Sequence, residues 1–281
     1  MESAELDPEI ASRIVPLRMP PLGKLEDPPI NEVVCGVLFK PVAELDPVVL
    51  GSFWQLRRDA YPRREFKAPI APQVPEGLLL QLSPDVGPLR TWLISKDDVL
   101  IIQVQHDRFY LNWRARQGEY PRFNDWDEKQ GLLSKFLTEL RAFTAFVSKE
   151  LGEKVELQGL ELAKVDRFDQ GRHWHGAADL AALLPMLRPA LDVAIAGTDP
   201  EVAVRLTMPL KDGSMDISIG GLARPGQPQN RALKLECRRS LRRVLSLDEV
   251  EEAMKASNTD LNDLFQRLVP DQKRFEKGWR P

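Results

Sequence analysis

The chain has 281 residues, 43% hydrophobic and 29% charged, enough to bury a substantial core in one large domain or two small ones. Its 39 basic and 42 acidic residues leave a formal net charge of −3, so no global field draws it to nucleic acid or anionic lipid, and only a local basic patch keeps that role open. With two cysteines, Cys35 and Cys237, a disulfide framework is not expected; no apolar run approaches the ~20 residues of a membrane span, and the acidic opening MESAELDPEI has no signal pattern, so a cytoplasmic location is expected.

Residues 1–29 are rich in proline and charge and read as an extended arm. Residues 30–40 (INEVVCGVLFK) make a strand, and residues 44–61 a helix with Pro47 in its first turn and Leu50, Phe53, Trp54 and Leu56 as its apolar stripe. A polar loop is expected over 63–75. Four strands follow at 77–82, 89–95, 99–106 and 108–114, separated by turn-forming residues such as Pro84, Gly87, Asp97 and Asp107. Leu132, Leu133, Phe136, Leu140, Phe143 and Val147 recur at helical spacing in a long helix expected from about Asn124 to Leu151, with Gly152 at its end.

The order then repeats. A strand is expected over 153–168, a proline-interrupted helix over 177–190, and strands over 201–210, 214–220 and 231–239. A final helix over 246–268 opens on Ser246 with Glu249 three residues on, a capping box, and carries the stripe Leu247, Val250, Met254, Leu261, Leu264 and Leu268. The fold class is therefore α+β, antiparallel, with a duplicated β-α-β-β-β-(β)-α unit: an arm (1–29), a first half (30–152) and a second half (153–281) packed with the first. The element order resembles a helix-grip fold, duplicated as in the saddle of TATA-binding protein. A homodimer is an open possibility through the last helix.

Two segments carry a closer likeness. Pro28, Pro29, Ile30 and Glu32, then Arg108, Phe109, Asn112, Trp113 and Arg114, then Tyr120, Pro121 and Phe123 resemble the hallmarks of a sporadically distributed bacterial family of uncharacterised proteins. The resemblance implies no chemistry. It implies the setting of defence or toxin-neutralising genes.

Among candidate sites, Arg108, Asn112, Trp113, Arg114, Tyr120 and Arg122 combine guanidinium donors with stacking faces, a set suited to phosphates or bases. The structural alternative is that Trp113 and Phe123 pin the sheet to the long helix while Asn112 and Arg114 satisfy backbone groups. Arg238, Arg239, Arg242 and Arg243 form the densest basic cluster, either for nucleic acid or an acidic partner, or for ion pairs with Asp248, Glu249, Glu251 and Glu252. His173 and His175 lack a third ligand at diagnostic spacing, so no metal is expected. Neither cysteine has a histidine nearby, and no nucleophile elbow, P-loop or dinucleotide fingerprint is present. No cofactor is expected, and an enzyme is the last reading. The first is a non-catalytic interaction protein with a protein partner, followed by a nucleic-acid binder on the sheet face and by a ligand sensor with a pocket between sheet and helix.

Overall fold

The computed structural model describes residues 25–70, 89–116, 120–125, 128–192, 202–224 and 227–276. The strand expected at 77–82 and most of the N-terminal arm lie outside these residues. The elements run β1 (Ile30–Phe39), α1 (Pro47–Arg57), β2 (Arg63–Lys67), β3 (Arg90–Ile94), β4 (Leu100–Gln105), β5 (Arg108–Arg114) and α2 (Leu132–Leu151). They continue with β6 (Leu157–Asp169), α3 (Ala177–Leu183), α4 (Arg188–Leu191), β7 (Ala203–Leu210), β8 (Gly213–Arg224), β9 (Gln227–Leu241) and α5 (Leu247–Leu268).

The fold is α+β, with nine strands in one antiparallel sheet ordered β2-β3-β4-β5-β1-β6-β9-β8-β7. Its centre is the pairing of β1 with β6, where Cys35 faces Leu162 and Gly36 faces Glu161. Outward from that pair the order is β5, β4, β3 on one side and β9, β8, β7 on the other, with β2 as the extra edge strand. The strand order is thus mirrored about the β1–β6 ladder, with β2 the one strand without a counterpart among the described residues.

Directly paired residues of an antiparallel ladder point to the same face, and neighbours along a strand to opposite faces. Val33, Cys35, Val37 and Phe39 of β1, Phe109, Leu111 and Trp113 of β5, and Leu233, Leu235 and Cys237 of β9 are all buried on one face. Helix α2 lies against β5, α5 against β6 and β9, and α2 meets α5. The layer between is filled by phenylalanines: Phe143 sits 5.0 Å from Phe109, 5.6 Å from Phe53 and 5.8 Å from Phe39, ring to ring. Both thiols lie in or beside this apolar layer, and burial pushes them far above the usual thiol range, which keeps them protonated and unreactive.

Several boundaries differ from expectation, each for a local reason. Helix α1 starts at Pro47 because the Asp46 carboxylate accepts from the N–H groups of Val48 and Val49, both at 2.8 Å, and ends the preceding chain as a cap. The stretch expected as a loop after Arg63 is instead β2, whose residues RREFK are mostly exposed, as suits a solvated edge. Helix α2 begins at Leu132, not near Asn124. The Asp125 carboxylate takes the Gly131 N–H at 2.6 Å and the Ser134 hydroxyl at 2.7 Å, and a Cβ on Gly131 would lie 2.4 Å from the Asn124 backbone, so the chain folds back tightly before the helix. Strands β8 and β9 extend well into the connection expected as a turn over 221–230. The capping box of α5 forms as expected, Ser246 and Glu249 exchanging side-chain to backbone hydrogen bonds.

Candidate functional site

On the other face of the sheet, β5 and β9 carry polar residues at alternate positions. On β5 these are Arg108, Tyr110, Asn112 and Arg114; on β9 they are Lys234, Glu236 and Arg238, with Arg242 following the strand. Glu32 on β1, Arg90 on β3, Gln103 on β4 and Glu161 on β6 complete the set. All of these but Arg114 line an open cleft of about 720 Å³ across the middle of the sheet, on the side away from the helices.

At its centre the ring of Tyr110 crosses β1. Gly36 pairs with Tyr110 on one side and with Glu161 on the other, and a Cβ on Gly36 would fall 1.9 Å from Tyr110 Cδ1. The missing side chain lets the ring lie over the strand, and its hydroxyl donates to Glu161 Oε2 at 2.7 Å. Burial and the Glu161 carboxylate hold the Tyr110 hydroxyl well above its ordinary pKa, so it stays a donor. Arg242 Nη2 approaches the other Glu161 oxygen at 3.5 Å.

The remaining charges mostly neutralise one another. Arg108 makes a two-pronged pair with Asp107, at 2.8 and 2.6 Å; burial opposes its charge, but Asp107 holds the guanidinium more firmly protonated than usual. Lys234 and Arg238 both reach Glu236 at 2.8 Å and, against the cost of burial, hold its carboxyl below the usual range. Asn112 Nδ2 donates to Glu32 Oε1 at 2.6 Å, and its own Oδ1 is buried without a hydrogen-bond partner. Arg90 Nη1 donates to Gln103 at 2.9 Å, while its Nε has no partner; burial, with Arg108 beside it, lowers its pKa below that of an ordinary arginine.

The ten residues singled out from the sequence therefore divide. Arg108, Asn112, Arg238 and Arg242 line the cleft. Arg114 lies on the same face at its end, where Asp98 in the β3–β4 turn (φ 62°) gathers Arg63 at 2.7 Å, Arg114 at 2.5 Å and Arg116 at 2.9 Å. Trp113 points to the helix side and meets Tyr120 edge-on at 5.0 Å. Arg122 (φ 49°) sits in the turn whose carbonyl accepts the Leu132 N–H at 3.0 Å. Arg239 is buried on the helix face between Asp212, at 2.7 Å, and Asp260, at 3.3 Å, and Arg243 pairs with Glu249 at 3.2 Å near the start of α5.

His173 is buried, and its Nδ1 accepts the Asp169 N–H at 2.9 Å; the His175 N–H goes to Asp179 at 2.9 Å. Among the described residues no group of three metal-ligating side chains comes together. No helix among them is long and apolar enough to cross a membrane.

Sequence reasoning missed Glu32, Arg90, Tyr110, Glu161, Lys234 and Glu236. The signal was there for Tyr110 and Glu236, which alternate with Phe109 and Leu111 or with Leu235 and Cys237. Glu32 stood among the residues that carry the family resemblance but with no role attached, and for Arg90 and Glu161 the signal was absent, since they gain meaning only from strand register.

No family model matches this chain, and no curated protein matches it.

A second polar group lies on the helix face of β6. Lys164 Nζ donates to Asn262 on α5 at 2.5 Å, and Asp166 is buried nearby. Burial lowers Lys164 to about 8 and raises Asp166 to about 7, each charge pulling the other partly back. In the unfolded chain Asp166 ionises near its ordinary 3.8, whereas the folded protein holds that proton until about 7, so this group's contribution to stability is present at low pH and falls between the two values. The variant Asp166→Asn loses that decline. Its melting temperature relative to the parent is expected to be higher at about pH 7 than at about pH 4; an equal difference at both would remove Asp166 from the account.

Proposed function

We propose that the protein is a non-catalytic binding protein that holds a segment of a protein partner in the cleft on the open face of its sheet. The observation that carries this reading is the charge pairing of the lining: Arg108 with Asp107, Arg242 with Glu161, and Lys234 and Arg238 with Glu236. A phosphate backbone requires a row of cations free to displace counter-ions. Here the carboxylates stand among the arginines, so a polyanion meets repulsion along with attraction. A polypeptide, with donors, acceptors and both signs of charge, matches such a surface.

A pocket between sheet and helix has less support, since that layer is packed with aromatic rings. The resemblance carried by residues 28–39 and 107–123 suggests a defence or toxin-neutralising locus as the source of the partner. A pull-down from the native host with two charge reversals tests the reading. Arg242→Glu alters the cleft, while Arg243→Glu alters a neighbour outside its lining. A stoichiometric protein held at moderate salt is expected with the parent and with Arg243→Glu, and is lost with Arg242→Glu at unchanged melting temperature. Nucleic acid retained at low salt only, or a partner indifferent to Arg242, would overturn the reading.

A further inference from the structure

Two charges in the cleft stand outside its pairing. Among the described residues, Arg90 is the lining cation with no carboxylate against it, and Glu32 is the lining carboxylate with no cation against it. Arg90 keeps a buried Nε without a hydrogen bond. At Glu32 the Asn112 amide is oriented unambiguously, because a carboxylate only accepts and so faces Nδ2; this leaves Asn112 Oδ1 as a second acceptor on the same spot, in a residue only 4% exposed. The cleft thus has a donor pole at Arg90 and an acceptor pole at Glu32 and Asn112.

Register sets their separation. Arg90 reaches to Gln103, which pairs with Tyr110, while Glu32 reaches to Asn112, two residues further along β5. Gln103 and Asn112 stand one strand across and two residues along from each other, about 8 Å apart at the backbone, and Arg90 and Glu32 reach them from the outer strands β3 and β1, so the poles are on the order of 10 Å apart. A free amino acid, whose charges are adjacent, is too short to reach both. Side chains two to four residues apart on an extended chain lie about 7 to 13 Å apart and do reach.

We infer that the cleft recognises an extended peptide segment carrying an acidic side chain for Arg90 and a basic side chain for Glu32 and Asn112, spaced two to four residues apart. This rests on the reading of the cleft as a protein-binding site and gives the bound segment its chemistry. Between the poles lie Gln103 on β4 and Tyr110 on β5, whose ring covers Gly36, so an extended backbone that joins the poles runs over the Tyr110 ring. The mirror charges of the partner complete the only two pairs that the cleft leaves open among the described residues.

A random-peptide display selection against the full chain tests this directly. The parent is expected to enrich peptides with an acidic and a basic residue at that spacing. Arg90→Gln removes the requirement for the acid and Glu32→Gln the requirement for the base, each weakening a parent-selected peptide roughly tenfold, with melting temperatures confirming that both variants fold. Enriched peptides without the charge pair, or peptides indifferent to both variants, overturn the inference, and they leave the protein-binding reading standing if partner capture still depends on Arg242. Peptides displaced by a single-stranded oligonucleotide that depends on Arg90 but not on Glu32 overturn both. Selection of no peptide at all counts against the inference.

Discussion

Replacing Phe143 by alanine is expected to cost about 3 to 5 kcal/mol of folding stability, the range for removing a large aromatic side chain from a packed core. Phe143 is fully buried, and its ring meets those of Phe39, Phe53 and Phe109, so one residue of α2 joins β1, α1 and β5. Relaxation cannot fill the space easily, since each neighbour is itself fixed by a strand or a helix. The loss is measured by denaturant unfolding, with Phe143→Leu, which keeps most of the volume, expected to cost clearly less. The result also bears on function. A cost below about 1.5 kcal/mol, far under the core range, would mean a loosely filled layer between helices and sheet and would revive a ligand pocket there. A full cost leaves the open face as the place to bind.

How much of this was legible in the sequence depends on the range of each signal. The alternation of β5 was plain, because Phe109, Leu111 and Trp113 interleave with Arg108, Tyr110, Asn112 and Arg114 within one short segment, and the capping box of α5 needs only Ser246 and Glu249. The repeated order of elements likewise reappears in the symmetric strand order about β1 and β6. The arginine cluster shows the limit. Read linearly, Arg238, Arg239, Arg242 and Arg243 form one basic patch. The strand pleat sends Arg238 and Arg242 to the cleft and Arg239 to the helix face, and Arg243 ends beside Glu249, so no single patch of four arginines exists. Arg114 owes its place to Asp98, sixteen residues earlier and across a hairpin. The cleft itself was not legible. Glu32, Arg90 and Glu161 belong to β1, β3 and β6, and only the register that sets Gly36 beside both Tyr110 and Glu161 brings their chemistry together.

Gly36→Ala tests that register at its narrowest point, with an expected loss of about 2 to 3 kcal/mol, at the upper end for forcing an added carbon into a filled site. The new Cβ would overlap Tyr110 Cδ1 and Cε1 at 1.9 and 2.2 Å, so the ring must leave the strand. Its hydroxyl then gives up Glu161, and a carboxylate only 6% exposed loses its nearest donor. Tyr110→Phe separates the two contributions. It keeps the ring over Gly36 and removes the hydroxyl alone, at a cost of about 1 to 2 kcal/mol for leaving the buried acceptor short of a bond. Because Gly36→Ala acts through the Tyr110 ring, adding it to Tyr110→Ala should cost far less than it does alone; strict additivity in that double-mutant cycle would mean that the glycine serves the backbone rather than the ring. The same displacement frees Glu161 to draw Arg242 away from the position it holds in the cleft. Partner capture should therefore fall in Gly36→Ala even under conditions where the protein remains folded, whereas Phe143→Ala should lower stability and leave capture by the folded fraction intact.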